Sequence, residues 1–87
     1  MTLNFPNASR SYDPTEGFIR FWGHDGALED SFVVEESALR QIAPGASNDE
    51  AAALKIFDAN RERIFEAART AYSRRRKGSY ALIASDF

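Results

Sequence analysis

The feature that most constrains the fold is a stretch of about 28 residues, 50–77, in which apolar side chains recur with helical periodicity. At about 100° of rotation per residue, six side chains fall on one stripe roughly 100° wide, namely Leu54, Phe57, Ile64, Phe65, Ala68 and Tyr72. A stripe of this width is typical of a helix that packs on a core. The sequence therefore predicts one long helix that supplies most of the core.

Both ends of this helix carry residues that are typical of helix termini. Ser47-Asn48-Asp49-Glu50 has the pattern of a capping box, in which the serine hydroxyl accepts a hydrogen bond from the backbone three residues on and the glutamate reaches back. Gly78 is a natural residue just past a helix end. Cations are favoured in a last turn, and here they are Arg74, Arg75, Arg76 and Lys77.

Two segments before this helix predict a β-hairpin. Gly17–His24 and Ala27–Val34 are rich in aromatic and β-branched residues, and Asp25-Gly26 between them favours a two-residue turn. The turn predicts that Trp22 pairs with Glu29. One face of the hairpin then suits the core, and it carries Ile19, Phe21, Leu28, Phe32 and Val34, together with Asp30.

The remaining segments complete an α+β pattern. Within residues 1–16, only Thr2–Phe5 suits a strand, whereas Glu35–Ala43 predicts a short helix that Pro44-Gly45 ends. Ser79–Ser85 predicts a returning strand. We expect a three- or four-stranded antiparallel sheet with one short and one long helix packed on one face, as a single domain over residues 1–87.

Composition narrows the class of protein. The chain has 87 residues and no cysteine, which excludes disulfides, thiolate metal sites and cysteine nucleophiles and favours a reducing compartment. The first twelve residues do not resemble a signal peptide, and no apolar run approaches the roughly 20 residues that span a bilayer. We therefore expect a cytoplasmic protein.

Arg61 is the one charged residue near the middle of the apolar stripe. Burying an unpaired charge is costly, so the guanidinium needs a partner. Asp30 on the core face of the hairpin is the first candidate, and Asp86 or the terminal carboxylate is the second. Two interpretations stay open: a structural ion pair, which we favour, or a small anion site.

The other hairpin face predicts a contact surface. It combines Phe18, Trp22 and Val33 with Arg20 and Glu29, which is the composition of an interface core with a charged rim. The alternative is that the N-terminal segment folds over this face through Leu3 and Phe5.

Charge is divided unevenly along the chain. Residues 1–58 hold 4 basic and 10 acidic side chains, whereas residues 59–87 hold 7 basic and 3 acidic ones. The basic run Arg74, Arg75, Arg76 and Lys77 is the one signal for binding nucleic acid or another anion. We favour two alternatives: the acidic and basic parts of the chain attract each other within one fold, or their charges are simply solvated.

We find no signature of catalysis or of a cofactor. His24 is the only histidine, and neither Ser31 nor Ser79 lies in a sequence that resembles a nucleophile elbow. The glycines form no phosphate-binding loop, and the carboxylates have no recognised metal-ligand spacing. We expect no enzyme, no metal site and no cofactor.

Several ordered segments resemble one bacterial family, the domain of unknown function 1488. The resemblance covers nearly the whole chain and rests on Leu3–Pro6, Ile19–Trp22, Ala38-Leu39, Phe57–Ile64 and Leu82–Phe87. It implies a small α+β fold with a hairpin, helices and a returning strand, and it implies no activity and no catalytic residues. Glu35 departs from the capping serine that we would expect there.

These observations predict a small non-enzymatic interaction module. We expect it to self-associate as a homodimer through the sheet face around Trp22, or to bind another protein there. Binding of nucleic acid or another anion by the basic end of the long helix is the alternative function.

Overall fold

The computed structural model describes residues 3–6, 9–47, 49–74 and 80–87. These residues form an α+β fold, as predicted, with four strands, three α-helices and one 3₁₀ turn. In chain order the elements are β1 Arg10–Asp13, β2 Phe18–Asp25, β3 Leu28–Val34, α1 Glu36–Ile42, α2 Glu50–Ala59, α3 Arg61–Ser73, β4 Tyr80–Leu82 and the 3₁₀ turn Ala84–Asp86.

The predicted hairpin is formed by β2 and β3, but its turn is Gly26-Ala27 rather than Asp25-Gly26. Gly26 has a φ of 62°, a conformation that glycine adopts without a steric penalty. Trp22 consequently lies opposite Ser31, and the predicted pairing with Glu29 is wrong. Because side chains alternate with a period of two, a register shift of two positions leaves each side chain on its predicted face.

The sheet has the strand order β1-β2-β3-β4 and is mixed, so the antiparallel prediction is wrong for its last strand. β1 and β2 are antiparallel, as are β2 and β3, whereas β4 runs parallel to β3 with Leu82 opposite Val34. Between β3 and β4 the chain passes through three helices. A connection of that length permits the parallel pairing, which a tight turn could not.

The edge strand lies later in the chain than predicted. β1 is Arg10–Asp13, and the predicted strand Thr2–Phe5 contributes one isolated bridge. In that bridge Asn4 and His24 exchange two backbone hydrogen bonds, of 2.8 and 2.7 Å. Pro6 has no N–H to continue the pairing.

The predicted long helix is two helices, α2 and α3, interrupted at Asn60. The Asn60 side-chain amide donates to the Ile56 carbonyl at 2.9 Å, and the Asn60 backbone N–H bonds the Phe57 carbonyl three residues back. Asparagine offers the backbone such local partners in competition with regular helix bonds. α3 ends at Ser73, before the predicted end near Lys77. Among the described residues, no helix is long and apolar enough to cross a bilayer.

The start of α2 also differs from the prediction. Asp49 is the N-cap, and its carboxylate accepts the Ala52 N–H at 2.8 Å. The capping role that we assigned to Ser47 is therefore wrong, because the helix begins at Glu50 and only Asp49 adjoins it. Glu35 precedes α1 without a side-chain cap.

The core is a cluster of aromatic rings between one sheet face and the helices. Phe21 and Phe32 pair across β2 and β3 with ring centroids 5.4 Å apart, and Phe21 meets Phe57 of α2 at 5.3 Å. The apolar stripe predicted for the helices faces this cluster, with Phe57, Ile64 and Ala68 fully buried. The stripe survives the break at Asn60 because a single interrupting residue keeps both apolar faces on the sheet.

Candidate interaction surface

The strand register places one set of side chains on the sheet face opposite the aromatic core. We call this set the outer sheet face: Ser11, Asp13, Phe18, Arg20, Trp22, His24, Glu29, Ser31, Val33 and Ala81. It contains all five residues that the sequence predicted for an interface. The core cluster draws on the other side of the same strands and on all three helices.

Trp22 lies near the middle of β2, one of the two central strands. Its side chain is half-buried, and beside it an open recess is lined by Trp22, Ser9, Arg10 and Glu29. A large amphipathic ring in a partly desolvated position is the typical anchor of a protein interface.

Arg20 is fixed in place by its neighbours on the outer sheet face. Its guanidinium lies 5.5 Å from the centre of the Phe18 ring, and it donates to the Ser31 hydroxyl at 3.4 Å. Val33, directly opposite Arg20 on β3, is buried. These contacts hold the positive charge on one side of Trp22.

The negative charge lies on the other side of Trp22. His24 and Glu29 are cross-strand partners, and His24 Nε2 approaches the Glu29 carboxylate to 3.4 Å. The Glu29 side chain is 57% exposed. On the two central strands the charge therefore changes sign across Trp22, from Arg20 on one side to Glu29 on the other. Asp13 lies on the same face opposite Phe18, at the β1 edge, and its carboxylate accepts the Thr15 and Glu16 N–H groups of the following turn.

The N-terminal segment packs on the core side of the sheet. Leu3 is buried in the core cluster, and the Phe5 ring stacks on Phe65 of α3 at 4.1 Å. A Cβ at Gly23 would lie 2.9 Å from Phe5 and 3.0 Å from Leu3. The alternative that Leu3 and Phe5 cover Trp22 is therefore wrong, because the glycine opens a space for them on the opposite face.

Tyr72, near the end of α3, is tied to the hairpin. Its hydroxyl donates to the Asp25 carboxylate at 2.8 Å. This hydrogen bond raises the pKa of Tyr72 to about 12, and burial and the negative charges of Asp25 and Asp30 act in the same direction. The contact holds Asp25, the last residue of β2, against α3.

Arg61 pairs with Asp58, and the predicted partner Asp30 lies elsewhere. The Arg61 guanidinium donates to Asp58 Oδ1 at 2.7 Å and lies 5.0 Å from the centre of the Phe57 ring. The negative charge of Asp30 raises the pKa of Tyr72, so Asp30 lies near Tyr72. Tyr72 is about 16 Å along the helix from Arg61. Asp86, the second candidate, accepts the Ile83 N–H at 2.8 Å.

Asp58 joins two arginines from different elements. Besides Arg61, it accepts two hydrogen bonds from Arg10 of β1, at 3.0 and 2.8 Å. The bond from Arg10 has the largest effect and lowers the pKa of Asp58; burial acts in the opposite direction, and Arg61 lowers the pKa further. No local sequence pattern predicts the Arg10–Asp58 pair, because Arg10 lies in a segment where the sequence predicts no strand.

The basic run lies mostly outside the described residues. Arg74 is the exposed C-cap of α3, whereas Arg75, Arg76, Lys77 and the predicted helix stop Gly78 are not among the residues that the structure describes. Anion binding by this run therefore stays a prediction.

A cleft between β1, α1 and α2 is too small for a substrate. Tyr12, Leu39 and Ile56 contribute to its walls, and Glu36 and Arg40 form an ion pair at its rim. Its space is about 20 Å³, enough for about one water molecule. Within the described part of the chain, no group of three or more His, Cys, Asp or Glu residues is arranged to hold a metal ion.

Comparison with known proteins gives one family. Neither the curated proteins nor the solved structures contain a match to this chain. The family described as protein of unknown function DUF1488 matches residues 3–83, which is nearly the whole of the 87 residues. The chain therefore belongs to the DUF1488 family, as the resemblance of its sequence predicted.

Proposed function

We propose that this protein is a non-enzymatic interaction module whose outer sheet face binds a second copy of the same chain. The observation that carries the proposal is the position of Trp22, half-buried on a central strand with the core on the opposite side of the sheet. We further propose a cytoplasmic location, which the lack of cysteine supports.

The surroundings of Trp22 support a protein partner. Phe18, which is also half-buried, adds a second aromatic ring to the same face of β2, while Arg20 and Glu29 provide charge around Trp22. Interfaces commonly combine an aromatic anchor with a polar rim in this way. A second copy is favoured over an unrelated partner because the two central strands carry both signs of charge, one on each side of the anchor.

Light scattering over a range of concentrations tests this proposal. We expect the apparent mass to rise from 9.7 kDa towards twice that value as concentration increases. Because Trp22 is the only tryptophan, its fluorescence should shift to shorter wavelength over the same range as the ring loses contact with water.

Two matched variants locate the contact. Trp22→Ser should keep the protein monomeric, whereas Leu28→Ser should self-associate like the wild type. Leu28 is a suitable control because it is a large, 68% exposed apolar residue of the same hairpin that belongs to the other face of the sheet. A wild-type protein that stays at 9.7 kDa at the highest concentration would contradict the proposal.

Anion binding remains the alternative. Replacing Arg74, Arg75, Arg76 and Lys77 by Gln should then abolish binding of nucleic acid at low salt and leave the apparent mass unchanged. If the wild type is monomeric and shows strongly salt-dependent binding that this variant loses, the alternative replaces self-association.

A further inference from the structure

The charges that flank Trp22 on the two central strands are arranged so that this part of the outer sheet face is complementary to itself. Arg20 precedes Trp22 by two residues on β2, and His24, paired with Glu29, follows it by two. At about 3.3 Å per residue, the positive and negative ends lie roughly 13 Å apart with Trp22 midway.

A two-fold axis lying between the sheets can stack this face on its own copy in two ways that keep the strands of the two sheets aligned. With the axis parallel to the strands, each end of the face meets the same end of the second copy. Arg20 would then lie near Arg20 of that copy, and like charges in apposition are unfavourable.

With the axis perpendicular to the strands and passing at Trp22, the two ends exchange. Arg20 then faces the His24–Glu29 pair of the second copy, and Trp22 lies against Trp22. The two-fold rotation repeats the contact, so that each pair of molecules has two Arg20–Glu29 contacts. It also makes the β2 strands of the two copies antiparallel.

We infer that two copies bind through their outer sheet faces about a two-fold axis at Trp22, with Arg20 of each copy facing Glu29 of the other. This inference rests on the proposed self-association and adds its orientation. Exposed ion pairs contribute little to affinity, so the charges select the orientation while the apolar centre supplies the attraction.

The side chains involved suit this role. Arg20 is held by Phe18 and Ser31, so little freedom is lost when it meets a carboxylate. Glu29 is mostly exposed and reaches outward from the strand next to β2. Ser31, directly opposite Trp22 in the register, also comes to lie on the axis and meets its own counterpart.

A charge-exchange experiment tests the orientation. Arg20→Glu alone and Glu29→Arg alone each place two pairs of like charges in the dimer, and we expect self-association to weaken about tenfold. In an equimolar mixture each contact between the two variants again joins opposite charges. The mixture should therefore associate with the wild-type affinity.

Two exposed helix residues provide the control. Arg40→Glu and Glu66→Arg reverse charges on α1 and α3, away from the outer sheet face. Each should self-associate like the wild type, and mixing them should change nothing.

A second measurement does not depend on charge. In this cysteine-free chain, Ser31→Cys should be cross-linked between copies by a bismaleimide that spans the roughly 10 Å between stacked sheets, whereas Ser37→Cys on α1 should not. Folding of each variant is checked by circular dichroism, and if a charge variant fails to fold, the Ser31→Cys result decides.

The outcomes separate the two proposals. The orientation is overturned if the wild type self-associates but mixing the charge variants does not restore association and Ser31→Cys is not cross-linked. The proposed function would then still stand. A wild-type chain that never self-associates overturns both. Restored association in the mixture together with Ser31 cross-linking establishes the orientation.

Discussion

Arg10 and Asp58 lie 48 positions apart in the sequence and form a two-point ion pair, with Nε to Oδ1 at 3.0 Å and Nη2 to Oδ2 at 2.8 Å. The pair joins edge strand β1 to the last turn of α2. A carboxylate is unfavourable near a helix C-terminus, and Arg10 together with Arg61 compensates for its position.

This pair predicts a specific acid dependence. Because the pKa of Asp58 is lowered in the folded protein, its stabilising effect is complete above the ordinary aspartate pKa of about 3.9 and is lost as the pH falls through the lowered value. Arg10→Gln should therefore destabilise the protein at neutral pH and have less effect at about pH 2–3. Urea unfolding at both pH values measures the difference.

Lys55→Gln is the control for that prediction, because it removes an exposed positive charge from α2. Its effect on the free energy of unfolding should be small at both pH values. An Arg10→Gln effect that is equally large in acid would show that the pairing with ionised Asp58 is not its cause.

Gly23→Ala should destabilise the protein by about 1–3 kcal/mol, the usual cost of adding volume to a packed core. The added Cβ would lie 2.9 Å from Phe5, 3.0 Å from Leu3 and 3.2 Å from Phe32. Chemical denaturation measures the loss. Combining the change with Leu3→Ala should cost less than the sum of the two single changes, since one close contact is then relieved; strict additivity would contradict the proposed packing.

Tyr72 predicts a transition in alkali. Its pKa of about 12 exceeds the ordinary tyrosine value of about 10, so the folded state holds the proton more tightly. The resulting stabilisation is complete below about pH 10 and is lost as the pH rises towards 12. Ultraviolet titration should assign the highest tyrosine pKa to Tyr72, and Asp25→Asn should lower it. An unchanged titration curve in that variant would exclude the hydrogen bond as the cause.

The cap of α2 gives a paired comparison between neighbouring residues. Asp49→Ala removes the acceptor of the Ala52 N–H and should cost about 1 kcal/mol, the typical value for an N-cap. Ser47→Ala should change the free energy of unfolding by about a few tenths of a kcal/mol at most, because Ser47 lies three residues before the helix and is not its N-cap. A larger loss of stability for Ser47→Ala than for Asp49→Ala would support the capping box that the sequence predicts.

Most of the elements follow from local pattern. The hairpin strands, α1 and the apolar stripe of α2 and α3 lie close to their predicted positions, because alternation and helical periodicity are properties of neighbouring residues. The break at Asn60, a half-buried residue, was missed since a single polar residue beside the apolar stripe leaves that periodicity intact. Strand β1 was missed because Ser11 and Asp13 carry little β propensity, and it forms by pairing with β2.

The contacts between distant segments show the limit of sequence reasoning for the candidate site. Trp22, Arg20 and Glu29 could be assigned to one face from alternation alone. The position of Phe5 could not, because it depends on the space above Gly23 and on the ring of Phe65. The pairing of Arg61 with Asp58 was not among the predicted contacts, although residues three apart on a helix are neighbours.

The sequence by itself determined which residues face the core, which face the opposite side of the sheet and to which family the chain belongs, because these depend on the order of side chains along a strand or helix. Only the tertiary structure decided the parallel pairing of β4, the docking of Leu3 and Phe5 beneath the sheet and the Arg10–Asp58 pair. Each of these joins segments far apart in the chain, and such contacts form only where the packing of the whole core brings two surfaces of matching shape and charge together.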